Sequence, residues 1–217
     1  MNIFIHTRNH YQKARKPKLL KTLVADIGGT NSRLAVAITS KKDREIKLEN
    51  IQKFKNSDFN NFEEVIEKYL SSSNDNFFSR MCIAAAGIIS EDTVEMSNLD
   101  WKITVPSLQK TSNIKSVLII NDLQAQGYAL NFIKPKDLEK LIEGNYSAAQ
   151  IDTKLVCGMG TGFNVAIAYQ TAFGTFVPAS EYGHARTTTA NEKQKLIVKQ
   201  LEENSSFVSY ENILAGS

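Results

Sequence analysis

Asp26 stands two residues before Gly28-Gly29-Thr30-Asn31, a run that reads as a tight turn. Glycines there bare the backbone N–H groups and let a ligand come close, and such concave amide arrays bind phosphate oxygens. An aspartate beside the array suits Mg²⁺, which takes one or two carboxylates and keeps its water. Gly158, Gly160 and Gly162, with Thr161, form a second turn of this kind. Each turn taken alone is equally readable as an ordinary hairpin turn. Two of them are better read as a pair of phosphate clamps.

Asn121-Asp122 directly follows the apolar run Val117–Ile120. A carboxylate at the carboxyl end of a core strand sits where open α/β sheets bind ligands. It suits proton abstraction from an attacking hydroxyl; the alternative is a helix N-cap. Glu181 and His184 flank Gly183 in Ser180-Glu-Tyr-Gly-His184, a pattern fit for polyol hydroxyls, or simply a satisfied structural histidine. The lack of a second histidine or paired cysteine nearby argues against zinc. No GxxxxGK[ST] occurs, so this is no P-loop. The Gly158/Gly160/Gly162 spacing imitates a dinucleotide fingerprint, but Phe163–Tyr169 reads as a strand, where the fingerprint needs a helix.

The elements follow from periodicity. Thr22–Ile27 and Ser32–Ile38 are apolar runs around the first turn, a hairpin. Residues 154–169 repeat that plan, which predicts two related half-domains facing each other. Asp58–Leu70 has helical spacing, with Phe59, Phe62, Val65, Ile66, Tyr69 and Leu70 on one face and Asp58 as cap. Phe77–Ile89 should contain a buried strand. Leu123–Phe132, Lys136–Ile142 and Asn191–Glu203 read as helices, the last with Leu196, Ile197 and Leu201 inward, and another helix begins after Ser209.

The chain has 217 residues, two cysteines and a formal charge of +3, of which +6 lies in residues 1–21, so the remaining body carries −3. An acidic body without a basic stripe argues against nucleic acid as main partner. No run approaches the roughly 18 apolar residues of a membrane helix, and two distant cysteines fit a reducing, cytoplasmic compartment. Residues 1–21 read as a solvated arm; a presequence or a nucleic-acid-touching tail are the alternatives.

Together these motifs resemble bacterial-type glucokinase, of the hexokinase/actin/Hsp70-like ATPase superfamily. ADIGGTNSRLA resembles the first phosphate motif, MSNLDW the sugar-contacting loop and IINDLQAQGYAL the segment with the catalytic aspartate. GMGTGFNVA resembles the second phosphate motif, SEYGHA the sugar motif, and VSYENILAG a helix start that brings a further glutamate. The repressor/open-reading-frame/kinase (ROK) sugar kinases are a neighbouring alternative, but no cysteine follows Cys157 to make their zinc motif. The resemblance implies an α/β ribonuclease H-like actin/hexokinase ATPase fold: two lobes with mixed sheets and flanking helices, residues 22–131 forming the small one and 132–217 an incomplete large one. It implies ATP-dependent phosphorylation of glucose to glucose 6-phosphate, with ATP and Mg²⁺.

Carried over residue by residue, the resemblance makes Asp122 the general base. Asn98, Asn121, Asp122, Glu181, His184 and Glu211 become sugar ligands. Ala25, Asp26, Ile27, Gly28, Gly29, Thr30, Gly160, Thr161 and Gly162 become the phosphate cradle, with Asp26 holding Mg²⁺ through water. A homodimer is an open expectation for a longer chain. Tyr182 stands where the family has glycine, which should crowd the sugar site, and Asn164 stands where glycine is usual. Family members continue past the LAG segment with an adenosine-binding motif and a helix that returns to the small lobe. The expectation is therefore a fragment or a truncated gene product, poor in nucleotide binding, marginally stable and weakly active alone. A non-catalytic sugar-binding or regulatory remnant is the further alternative.

Overall fold

The computed structural model describes residues 19–40, 46–73, 77–96, 99–143, 153–160 and 162–216. Strands β1 (Leu19–Ile27) and β2 (Asn31–Ser40) form the expected antiparallel hairpin. It is longer than its apolar run: Leu19–Lys21, assigned to the basic arm by composition, already pair with Ile38–Ser40. Alternation turns Leu23, Ala25, Ile27, Leu34 and Val36 to one face, where all are buried. Strand β3 (Ile46–Lys55) extends the hairpin, with a bulge opposite Leu34–Val36.

Helix α1 (Phe62–Ser72) covers that face with Phe62, Val65, Ile66 and Tyr69, each fully buried and each worth roughly 1.5–3 kcal/mol of transfer free energy. Its cap is Asn61, whose side chain accepts from Glu64 N; Asp58 is instead consumed in a single tight turn, Asn56–Asp58. Strand β4 (Arg80–Ala85) then lies parallel to β1. The apolar run of 77–89 breaks at Ala86, and β5 (Gly87–Ser90), β6 (Thr93–Met96) and β7 (Lys102–Thr104) form a separate antiparallel sheet. Helix α2 (Val105–Ser112) leads into β8 (Val117–Asn121), parallel to β4. The resulting five-stranded sheet is mixed, in the order β3-β2-β1-β4-β8.

Helix α3 (Asp122–Ala129) starts without a linker at the end of β8 and ends three residues before the expected Phe132. The second hairpin, β9 (Thr153–Met159) with β10 (Phe163–Thr171), is antiparallel like the first, and β11 (Gly174–Phe176) adds a third strand. Leu123, Ala166, Ala168 and Val177 form a second apolar cluster, so α3 packs on this sheet.

Two helical expectations are corrected. Of Lys136–Ile142 only the turn Pro135–Asp137 is helical; Leu141 and Ile142 are 83% and 87% exposed. Seven residues cannot sustain a helix without an apolar wall to receive one face. Helix α4 (Glu192–Glu202) forms, capped by Asn191, but Leu196 and Ile197 are 68% and 44% exposed and do not face inward. The last helix, α5 (Glu211–Leu214), is a single turn.

Candidate active site

The two glycine turns and the junction of β8 with α3 border one cleft of about 800 Å³. Gly29 and Thr30 line one side. Asn121 and Asp122 line another, and Gly160, Gly162, Asn164, Glu181, His184 and Glu211 stand on the wall beyond them. Ala86, Gly87 and Ile88 add a stretch of wall that no sequence motif pointed to. Asn98 and Thr161 lie outside the described residues. Ala25 and Ile27 point their side chains into the core, so only their backbone is available to a ligand.

The first turn is closed by Gly28 N donating to Asn31 O at 3.0 Å, which takes the Gly28 amide out of the phosphate cradle. The amides of Gly29 and Thr30 have no acceptor among the described residues. Asn56 holds the turn from behind. This 1%-exposed side chain donates to Gly28 O at 2.8 Å and accepts from Ser32 Oγ at 2.8 Å, while its backbone N donates to Thr30 O. Asp26 does not line the cleft; its Oδ2 is ion-paired with Arg33 Nη1 at 3.0 Å. Both partners are more than half exposed, so the pair contributes about 0–1 kcal/mol. The hairpin register sets Asp26 directly opposite Arg33, a pairing readable from the two strands once the turn is placed.

Asn121, not Asp122, caps α3. Its Oδ1 accepts from Leu123 N (2.9 Å) and Gln124 N (3.4 Å), and Gln124 Oε1 accepts in turn from Asn121 N. This capping box leaves the Asn121 amide nitrogen as its remaining donor. Asp122 is the first helical residue and its Oδ1 accepts from Leu123 N at 2.7 Å. Loss of water pushes the Asp122 carboxyl above its usual range; the Leu123 N–H opposes this and the Asp26 charge reinforces it.

Glu181 is also pushed up, first by loss of water, with His184 opposing and the Asp122 and Glu211 charges reinforcing. Glu211 arrives from α5 and accepts from Phe163 N through Oε2 at 3.1 Å, so one of its oxygens is held by the second turn. Gly183 is obligatory: a Cβ there would stand 1.8 Å from Phe163 O. Tyr182 does not line the cleft; its ring stacks on Tyr210, centroids 5.7 Å apart and 16° from parallel. The expected crowding is thus relieved by an aromatic partner 28 residues away, which no local pattern reveals. Asn56, Arg33 and Asn164 were missed as supporting residues, because their weight depends on contacts across the fold.

Such a mixed sheet, with paired glycine-turn hairpins and a carboxylate at a strand–helix junction, is the ribonuclease H-like fold of the hexokinase/actin ATPases. The solved glucokinase of an Antarctic psychrotroph matches with a TM-score of 0.75 at 28% identity, over 90% of this chain and 61% of that one. The Balamuthia mandrillaris glucokinase, solved in complex with glucose, matches in fold with a TM-score of 0.68 at 23% identity, over 91% of this chain and 60% of that one.

The glucokinase family model matches residues 23–217, and the chain belongs to that family. The glucokinase of Colwellia psychrerythraea is 31% identical over 89% of this chain and 57% of its own length; that of Caulobacter vibrioides is 31% identical over 89% and 58%. The chain therefore spans less than two thirds of the length of these relatives. Among the described residues no helix is long and apolar enough to cross a membrane, and no three His, Cys, Asp or Glu side chains cluster as metal ligands.

Proposed function

We propose that this chain carries the sugar site and phosphate clamps of an ATP:glucose 6-phosphotransferase. The observation that carries the reading is the convergence of Asp122, Glu181, His184 and Glu211 with both glycine turns on one cleft. Glu181, His184, Glu211, Asn121 and Asn98 hold the sugar hydroxyls. Asp122 accepts the proton of the 6-hydroxyl, whose oxygen attacks the γ-phosphorus as ADP leaves. Its raised proton affinity makes it a better base than a fully solvated aspartate. The Gly29 and Thr30 amides, with Thr161 and Gly162 of the second turn, receive the phosphate oxygens. The Gly160 amide, like that of Gly28, is already used, donating to Gly162 O at 2.9 Å.

Asp26 is the carboxylate nearest the first turn and the residue that would hold Mg²⁺, one carboxylate plus substrate phosphates being the usual Mg²⁺ arrangement. To do so it would have to give up its ion pair with Arg33 and turn toward the cleft. Bound there, the ion would neutralise charge on the phosphates. Residues 22–131 and 132–217 are proposed as the two lobes, and cytoplasmic glucose and ATP as the ligands. Sugar binding without transfer is the second reading, favoured by Asp26 being ion-paired with Arg33 and standing outside the cleft lining. Glucose calorimetry together with a coupled glucose 6-phosphate assay tests both. Transfer abolished by Asp122→Asn supports the first; binding without any transfer by the parent chain leaves the second.

A further inference from the structure

Asn164 uses every hydrogen-bonding position its side chain has. Its Nδ2 donates to Ser180 O at 2.7 Å and to Glu181 Oε2 at 3.1 Å. Its Oδ1 accepts from Val165 N at 2.8 Å and from Gly183 N at 3.4 Å. An amide offers two donors and two acceptor lone pairs, so nothing is left over for another partner. Three of the four bonds reach into residues 180–183, the segment that carries Glu181 and leads to His184. Asn164 is itself on β10, whose register with β9 is continuous from Phe163 to Tyr169. It therefore ties a mobile-by-nature polar side chain, Glu181, to the rigid hairpin of the second glycine turn.

From this geometry we infer that Asn164 is the positioning residue of the hydroxyl subsite: by holding Glu181 Oε2, it presents Glu181 Oε1 to the ligand. The inference rests on Glu181 being a sugar ligand, as proposed above. A glutamate has three side-chain torsions, and its terminal one is broad and nearly two-fold. Unheld, the carboxylate samples orientations that do not meet a hydroxyl, and binding must select the competent fraction. With one oxygen fixed by a neutral amide donor, the other keeps its lone pairs for the ligand and the group keeps its charge. A carboxylate in place of the amide would preserve the shape, turn both Nδ2 bonds into repulsions, and drive Glu181 further up in proton affinity.

The test uses the full chain with Asn164→Ala, the isosteric Asn164→Asp, Glu181→Ala and the double variant Asn164→Ala/Glu181→Ala. Glucose Kd is read by calorimetry, and the Glu181 carboxyl is titrated by ¹³C NMR in the Asn164 variants. Asn164→Ala should weaken glucose binding about tenfold, the weight of one hydrogen bond to a charged group, and add nothing to Glu181→Ala in the double variant. Asn164→Asp should weaken it at least as much and raise the Glu181 titration above that of the parent. Losses that multiply in the double variant, or a Glu181 titration that Asn164→Asp leaves in place, overturn the positioning role. If Glu181→Ala alone binds glucose as the parent does, the sugar reading of Glu181 fails and the inference falls with it. The NMR titration still reports separately whether Asn164 holds the carboxylate.

Discussion

Gly183→Ala should be the most damaging small substitution in the site. The added Cβ would lie 1.8 Å from Phe163 O and 2.9 Å from Phe163 C. Contact atoms prefer roughly 3.5–4 Å, so the oxygen is about 1.7–2.2 Å too close. Both are backbone atoms at the start of β10, and Phe163 is paired with Met159 and donates its N–H to Glu211. No rotamer change relieves the overlap; the 181–184 segment must move away from the hairpin. Overpacking of this kind costs about 1–3 kcal/mol, and a backbone obstacle places this case at the upper end. At about 3 kcal/mol, a chain of this size loses roughly 6–12 °C in Tm. A shift beyond 1 Å in Glu181 and His184 should lower kcat/KM by roughly 10²-fold. Gly160→Ala is the control for stability, because a Cβ there meets nothing within 4 Å. Thermal melts and the coupled assay on the full chain decide the matter. A Gly183→Ala protein that melts within about 2 °C of the parent and keeps its kcat/KM within about threefold would refute the close approach.

Asp122→Asn should leave glucose affinity near that of the parent while lowering kcat by roughly 10²-fold or more; near-native kcat removes Asp122 from the chemistry. The same variant should be more stable than the parent at pH 7. A carboxyl whose native proton affinity is raised binds more protons folded than unfolded, so its stability contribution falls as pH rises from the unfolded value near 4. Melts between pH 4 and pH 7 should show the gap opening with pH, and a constant gap counts against the raised affinity. Glu181→Ala and His184→Ala should weaken glucose binding and change its ratio to deoxyglucose analogues; unchanged ratios reject the sugar-site assignment. Asn56→Ala orphans the buried Ser32 hydroxyl and Gly28 carbonyl, which should cost about 1–3 kcal/mol. Urea midpoints test this, and a loss below about 0.5 kcal/mol would mean that the first turn does not depend on Asn56.

What the sequence determined by itself was local. Apolar alternation around Gly28–Thr30 and Gly158–Gly162 specified two hairpins, because strand period and turn chemistry are written within a few residues. The face of α1 was legible for the same reason: Phe62, Val65, Ile66 and Tyr69 recur at helical spacing. Asp122 was found because an apolar strand ended on it. The tertiary structure decided what depends on atoms far along the chain. Asn121 rather than Asp122 took the cap, and Tyr182 turned from the cleft onto Tyr210. Asn164, an apparent anomaly in its motif, became the tie between β10 and Glu181. The run 136–142 had helical spacing yet did not form a helix, and Leu196 and Ile197 had it and stayed exposed. Periodicity states which face of an element is apolar; only a packed neighbour, supplied by the rest of the fold, makes that face stable and buried.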